Sequence, residues 1–214
     1  MAPTHTQTSI KSTLLSVRLK AQIARTGPIS LERFMDVCMA DATAGYYPSK
    51  QPIGAGGDFT TAPEVSQVFG ELLGLWAYAV WQSMGSPEQV ILAELGPGRG
   101  TLMADALRGL RRLPGFTDCA KVALVETSPP LRQAQEEALA DPGAYISWHE
   151  RNEELPPGPI IVIANEFIDA LPIRPLIWST GQLHDRGVLI GIEGGFAVCE
   201  APPLAVENLR RNAG

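Results

Sequence analysis

Residues 94–100 read Glu94-Leu95-Gly96-Pro97-Gly98-Arg99-Gly100, between an apolar run at 90–93 and a helical pattern over 101–112. A short apolar run without alternation is typical of a buried parallel strand. Glycines in the turn that follows permit positive φ and let a ligand lie against the backbone, and the next helix offers free N–H groups. The pattern therefore predicts a strand, a ligand-binding loop and a helix, with a ligand-free tight turn as the alternative.

The same alternation of strand and helix continues along the chain. Further apolar runs lie at 121–125, 145–148 and 160–164, and a second helical pattern covers 128–140. Strands that alternate with helices form βαβ units with right-handed crossovers, which build a parallel sheet. We therefore predict an α/β fold with a Rossmann-like sheet.

The regions on either side of this core have different patterns. Helical spacing predicts helices over 12–26, from Ser30 onward with Ser30 as N-cap, and over 63–84. After Pro172, three short strands joined by glycine-containing turns predict a β-meander insertion. The predicted organisation is an N-terminal helical region with a covering loop at 1–85, a Rossmann-like core at 86–172, and the meander with the chain's end at 173–214.

Composition limits the classes of function. Hydrophobic residues make up 45% of the 214 residues, enough for a substantial α/β core, and the net charge of −6 argues against nucleic acid as a partner. No apolar run approaches the ~20 residues that span a bilayer. The three cysteines are far apart and lack metal-ligand spacing, which predicts reduced thiols and no metal site.

The N-terminal stretch admits two interpretations. It has no acidic residue before Glu32, while Lys11, Arg18, Lys20 and Arg25 lie among many Ser and Thr residues, as in a mitochondrial transit peptide. The same stretch fits an amphipathic first helix that runs directly into the domain. We favour the helix and predict a bacterial cytoplasmic location, with the mitochondrial matrix as the less favoured alternative.

The glycine loop also indicates which ligand it binds. A dinucleotide fingerprint, G-x-G-x-x-G, needs its third glycine where Thr101 stands, which disfavours a nucleotide-dependent oxidoreductase. Glu94 would repel a pyrophosphate but suits a cationic ligand. S-adenosyl-L-methionine carries an ammonium and a sulfonium, so we predict it as the cofactor. Glu94 would serve the ammonium directly or through water, with Gly96, Gly98 and Gly100 against the ligand.

The end of the second strand extends this site. Glu126 closes that strand, where an acidic residue can accept hydrogen bonds from both ribose hydroxyls. Its neighbour Thr127 is placed in the same cofactor site. Trp148 stands at the end of the third strand, a position compatible with a place beside the adenine. Together with the glycine loop, these residues predict a pocket along the carboxyl edge of the sheet.

A third motif follows the fourth strand and reads Asn165-Glu166-Phe167-Ile168-Asp169-Ala170-Leu171-Pro172. In a Rossmann-like sheet the carboxyl end of this strand faces the reacting part of the ligand. Glu166 and Asp169 can hold a cationic nucleophile if the segment turns helically, and Asn165 is placed with them and with the cofactor. The alternative is that Asp169 only stabilises a turn before Leu171-Pro172.

These motifs and several others occur in the order found in one known family. The further motifs are Gly27-Pro28-Ile29-Ser30, Phe34-Met35, Gly45-Tyr46-Tyr47, Gly57-Asp58-Phe59-Thr60-Thr61-Ala62-Pro63-Glu64-Val65-Ser66, Phe69-Gly70-Glu71 and His184-Asp185-Arg186. Over nearly the whole chain, the sequence resembles the MidA-like methyltransferases, which include the mitochondrial complex I assembly methyltransferase.

The resemblance implies that the Rossmann-like sheet is of the class I methyltransferase type. It also implies an S-adenosyl-L-methionine-dependent enzyme that methylates a protein arginine, with a target like a respiratory complex I subunit. It also implies that 57–66 covers the cofactor, through Asp58, Thr60, Thr61, Pro63 and Glu64; a helix start capped by Thr61 is the alternative. Relatives continue past position 214 into further strands, so we expect a C-terminally truncated chain. A non-catalytic assembly factor or chaperone that keeps the cofactor-binding fold is the alternative function.

Overall fold

The computed structural model describes residues 13–41, 43–46, 61–141 and 143–203. The chain divides into two compact units, one of Lys50–Ala170 and one that joins Met1–Ser49 to Leu171–Gly214. The division at residues 85 and 172 stays a prediction, and the two units group the residues differently. In particular, the helices before residue 49 belong with the meander, whereas the segment predicted as a helix over 63–84 belongs with the sheet.

The elements are numbered here in chain order. The helices are α1 (Leu14–Thr26), α2 (Leu31–Ala40), α3 (Ala62–Val65), α4 (Gln67–Ser83), α5 (Thr101–Leu110), α6 (Phe116–Cys119) and α7 (Pro129–Ala138), with 3₁₀ turns at Asn152–Glu154 and Ile168–Ala170. The strands are β1 (Ile29–Ser30), β2 (Val90–Leu95), β3 (Ala120–Val125), β4 (Tyr145–His149), β5 (Ile160–Ile163), β6 (Leu176–Ser179), β7 (Gln182–Ile190) and β8 (Phe196–Pro203).

The unit of residues 50–170 contains the predicted parallel sheet. Its strand order is β4-β3-β2-β5, and every neighbouring pair is parallel. The chain moves outward from β2 to β3 and β4, then returns to pair β5 on the other side of β2. This reversal of strand order opens a crevice at the carboxyl ends of the central strands, where ligands bind in open α/β sheets. The predicted α/β class is confirmed.

Helix α4 packs closely on α5 beside this sheet. Its buried residues, Gly70, Gly74, Ala77 and Trp81, recur every three or four positions and so form one stripe. A Cβ atom at Gly74 would lie 2.5 Å from the carbonyl oxygen of Ala106, so the two helix backbones approach directly. The core under this contact includes Leu92, Leu102, Leu107, Phe116, Val122 and Leu124.

The helix predicted over 63–84 is broken at Ser66. This residue has φ −153° and ψ 123°, which is extended backbone, and it separates α3 from α4. Its hydroxyl accepts a hydrogen bond from the N–H of Val68 at 3.3 Å, so it caps the second helix. Apolar periodicity continues across the break, and periodicity alone therefore did not reveal it.

The other unit contains the predicted meander. Strand β7 pairs with β8 along one edge and with β6 and β1 along the other, always antiparallel. Helix α1 buries Leu15, Leu19 and Ile23 in a small core that also contains Ile29 and Val188. Ser30 caps α2 as predicted, since its hydroxyl accepts from the N–H of Arg33 at 3.1 Å. No helix within the described ranges is long and apolar enough to cross a bilayer.

The α4–α5 contact gives a direct test of this packing. We expect Gly74→Ala to lower the free energy of unfolding by about 1–3 kcal/mol, because the added methyl meets a backbone carbonyl that cannot move cheaply. Gly195→Ala is the matched control, since a Cβ atom there has no neighbour within 4 Å. Urea unfolding of both variants measures the difference, and equal stabilities would show that the helices are less tightly packed.

Candidate functional site

The glycine loop adopts the backbone conformation that its sequence predicts. Gly96, Gly98 and Gly100 have φ values of +65°, +53° and +83°, in the left-handed region that favours glycine. Gly100 is also the N-cap residue of α5, so the loop passes directly into the first turn of that helix. The loop therefore presents backbone, free of side chains at three positions, at the carboxyl end of β2.

Two of these glycines lie against other segments of the same unit. A Cβ atom at Gly96 would lie 2.6 Å from Cδ2 of Phe167, in the motif that follows β5. A Cβ atom at Gly100 would lie 3.3 Å from Gln135 on α7. The first and third motifs of the sequence are thus brought together, as predicted for the carboxyl ends of neighbouring strands.

Glu94 is the buried acid of the site. Its residue is 2% exposed, and within the described chain its Oε2 atom has no hydrogen-bond partner. Burial raises the pKa of this carboxyl group to about 8. A buried carboxylate oxygen without a partner is costly, and a cationic donor such as an ammonium would remove that cost. The site therefore fits the charge of the predicted cofactor.

Within the described residues, only one of the two carboxylate oxygens of Glu126 accepts hydrogen bonds from backbone N–H groups. Its Oε1 atom accepts the N–H groups of Thr127 and Ser128, both at 2.8 Å. Its Oε2 atom lies 3.5 Å from the side-chain amide of Gln135. Burial raises the pKa of Glu126, while the two backbone N–H groups act in the opposite direction. Its second oxygen thus accepts no hydrogen bond from the described backbone and has the amide of Gln135 beside it.

The segment before α4 contributes a contact to the start of α5. Glu64 accepts a hydrogen bond from the hydroxyl of Thr101 at 2.7 Å, so the residue that replaces the third fingerprint glycine ties α3 to the glycine loop. Pro63 is buried beside it. Thr61 stands at the N-cap position of α3, where its side chain makes no capping hydrogen bond. Asp58 and Thr60 lie outside the described residues.

The motif after β5 places its polar side chains in different surroundings. Glu166 has a φ of +50°, which is unusual for a residue with a Cβ atom, and it precedes the 3₁₀ turn that contains Asp169. The two carboxylates therefore do not share one helical turn, and both are exposed. Asn165 is half-buried and lines a groove of ≈ 330 Å³ with Phe69 and Trp76. Only Phe167 of this motif is shown against the glycine loop.

Sequence reasoning missed Gln135, which contacts three parts of the site. The signal was present: Leu131, Gln135 and Leu139 recur every four residues, so a glutamine stands on the apolar stripe of α7. Trp148 donates its indole N–H to Gln135 at 3.0 Å and packs on the core, and its place beside the adenine stays a prediction. In the part of the chain that the structure describes, no three His, Cys, Asp or Glu residues form a metal-ligand group.

The buried acid predicts a characteristic pH dependence of stability. Below pH about 4.5 Glu94 is protonated in both the folded and unfolded chain; between about 4.5 and 8 only the unfolded chain ionises it, so stability falls over that window. We expect Glu94→Gln to remove this loss and to raise the unfolding midpoint at pH 8 more than at pH 5. Parallel midpoint curves for the two proteins would contradict the assignment. Thermal unfolding across this range is the measurement.

Comparisons with known proteins identify the family. Residues 72–211 match the family described as "putative S-adenosyl-L-methionine-dependent methyltransferase". The mitochondrial protein arginine methyltransferase NDUFAF7 of Danio rerio is 39% identical over 94% of this chain and 53% of its own length. The mitochondrial NDUFAF7 homolog of Drosophila melanogaster is 37% identical over 87% and 47%. The chain thus spans about half the length of the curated relatives it matches.

Solved structures agree with this match. The crystal structure of a superfamily member from Burkholderia thailandensis, bound to S-adenosyl-homocysteine, superposes with a TM-score of 0.71 at 30% identity. That comparison covers 94% of this chain and 52% of the other. The ligand in that structure is the demethylated product of the cofactor that the glycine loop and Glu94 predict here.

One prediction is wrong on these comparisons. We expected a bacterial cytoplasmic protein with the mitochondrial matrix less favoured, whereas the relatives from Drosophila melanogaster, Danio rerio, Mus musculus and Homo sapiens are all named mitochondrial. Composition could not separate the two interpretations, because an acid-free stretch with Lys, Arg, Ser and Thr satisfies both.

The cofactor predicted from the acidic residue before the glycines is the cofactor of the matched family. The family match covers more than half of the chain, and its description agrees with the fold and with the loop geometry. This chain therefore belongs to the family of S-adenosyl-L-methionine-dependent methyltransferases.

Proposed function

We propose that the unit of residues 50–170 binds S-adenosyl-L-methionine for methyl transfer. The observation that carries the proposal is the buried Oε2 atom of Glu94 at the glycine loop, which has no hydrogen-bond partner among the residues that the structure describes. When bound, the cofactor supplies an electrophilic methyl group on a sulfonium. Glu94 would hold the ammonium, the second oxygen of Glu126 would accept from the ribose hydroxyls, and Gly96, Gly98 and Gly100 would lie against the ligand.

Further residues complete the proposed cofactor site. Glu64 and Pro63 stand at its border, since Glu64 is hydrogen-bonded to the first residue of α5. We place Thr61 and Thr127 with them, together with Asp58 and Thr60 of the covering segment. Asn165 would contact the cofactor from the carboxyl end of β5. The assignment to the MidA-like group rests on the sequence motifs and extends the family match.

The proposed methyl acceptor is an arginine of a protein. The curated relatives are named protein arginine methyltransferases, and Glu166 and Asp169 offer two exposed carboxylates directly after β5. A guanidinium stays charged because its pKa exceeds ~12. A carboxylate in contact with the guanidinium would localise that charge and leave the other nitrogen more electron-rich for attack. The target class implied by the family resemblance is a respiratory complex I subunit.

A second candidate is a non-catalytic assembly factor that keeps the cofactor-binding fold. The exposure of both carboxylates favours it, since charge stabilisation is strongest where water is excluded. The two functions share the cofactor site and differ in whether the motif after β5 contributes to turnover. Binding and turnover are therefore tested separately below.

Cofactor binding is tested first, by isothermal titration of the chain with S-adenosyl-homocysteine and with NAD. We expect saturable binding of the former alone. Glu126→Ala should weaken it about tenfold or more, because hydrogen bonds to a charged group are lost. Glu137→Ala, an exposed acid on α7, is the matched control and should bind normally. A folded chain that does not bind S-adenosyl-homocysteine would contradict the proposal.

Turnover is tested with Glu166→Ala and Glu166→Gln. We expect transfer of labelled methyl to arginine peptides to fall about 100-fold in both variants, since a charge-stabilising group is lost. The affinity for S-adenosyl-homocysteine should stay within about twofold, because Glu166 acts on the acceptor. An equal collapse of affinity would show that Glu166 belongs to the cofactor site. Unchanged transfer would remove its proposed role, and no transfer by the parent chain would favour the assembly factor.

A further inference from the structure

Gln135 is a polar side chain in a place where an apolar one is expected. It has 0% exposure, and it is the residue that α7 buries between Pro129 and Ala138. Burying a primary amide costs free energy unless its donors and acceptor are all paired. The side chain at position 135 therefore has a role besides filling the core.

Each end of the Gln135 amide has a partner. Its Nε2 atom donates to the carbonyl of Gly98 at 2.7 Å and lies 3.5 Å from Oε2 of Glu126. Its Oε1 atom accepts the indole N–H of Trp148 at 3.0 Å. The orientation of the amide is fixed by chemistry, because a carbonyl and a carboxylate need the donor end and an indole N–H needs the acceptor end.

These partners come from three separate segments. Gly98 belongs to the glycine loop, Glu126 follows β3, and Trp148 lies in β4. The loop also rests directly on this side chain, since a Cβ atom at Gly100 would lie 3.3 Å from the Cα and Cγ atoms of Gln135. A substitution at Gln135 would therefore affect both the glycine loop and the Glu126 carboxylate of the proposed cofactor site.

Gln135 contacts the Oε2 atom of Glu126, which is the oxygen proposed to bind the ligand. The Oε1 atom of Glu126 is occupied by two backbone N–H groups, whereas Oε2 has the amide of Gln135 beside it. A neutral donor at this distance favours the ionised carboxylate, which is the form that accepts hydrogen bonds from two hydroxyls. An apolar side chain would leave the same carboxylate buried without this donor.

We infer that Gln135 is a positioning residue that fixes the Glu126 carboxylate relative to the glycine loop and thereby sets the selectivity for an intact ribose diol. This inference rests on the proposed function, because it assumes that Glu126 binds the ribose. Gln135 itself need not touch the cofactor. Its effect is expected in the discrimination between ribose and deoxyribose ligands more than in binding as such.

The test is the ratio of dissociation constants for S-adenosyl-homocysteine and its 2′-deoxy analogue, measured by isothermal titration. We expect the parent chain to prefer the ribose ligand about tenfold or more, as a lost hydrogen bond to a charged group implies. In Gln135→Leu the ratio should fall toward one. Gln133→Leu, an exposed glutamine on the same helix, is the matched control and should keep the parent ratio.

A purely structural role would weaken both ligands equally and leave the ratio unchanged, which would overturn the inference. Gln135→Met preserves the side-chain volume and replaces Gln135→Leu if the latter does not fold. A parent-like ratio in either folded variant is equally decisive against it. If the parent chain binds neither ligand, the proposed function fails as well. If the parent chain and the variants all bind and all prefer the ribose ligand to the same extent, only the role of Gln135 fails.

Discussion

Between β2 and α5, the backbone at Gly96 lies closer to the ring of Phe167 than a Cβ atom would permit, and Gly100 lies in tight contact with Gln135. The parallel sheet brings the carboxyl ends of β2, β3 and β5 to one edge, and this loop is where those ends meet. A side chain at Gly96 would displace the Phe167 ring, and one at Gly100 would require Gln135 to shift by a few tenths of an ångström. The packing of the loop against these two residues therefore depends on glycine at both positions.

Buried carboxyl groups create an electrostatic cost at this edge. One oxygen of Glu94 has no partner among the described residues, and burial raises the pKa of both Glu94 and Glu126. The core below, with Leu92 and Val122 fully buried, supplies the apolar stabilisation that tolerates this cost. A ligand that supplies cationic and hydroxyl donors recovers the free energy, so binding and stability are linked.

The sequence predicted most of the parallel sheet because its signals are local: apolar runs, a glycine turn after Glu94, and an acid at the end of β3. It could not predict features that depend on contacts between distant residues. The break at Ser66 interrupts a continuous apolar pattern, and the network around Gln135 joins segments up to 37 residues apart. The left-handed conformation of Glu166 likewise depends on its surroundings, since its neighbours in sequence do not require it.

That conformation has an evolutionary consequence. At φ +50° a glycine or asparagine fits the backbone better than glutamate, so a carboxylate at position 166 carries a conformational cost. In a lineage where the acid has no task, drift should replace it, and the protein should become more stable as it does so. The residue at position 166 would then distinguish active from inactive homologues by sequence alone.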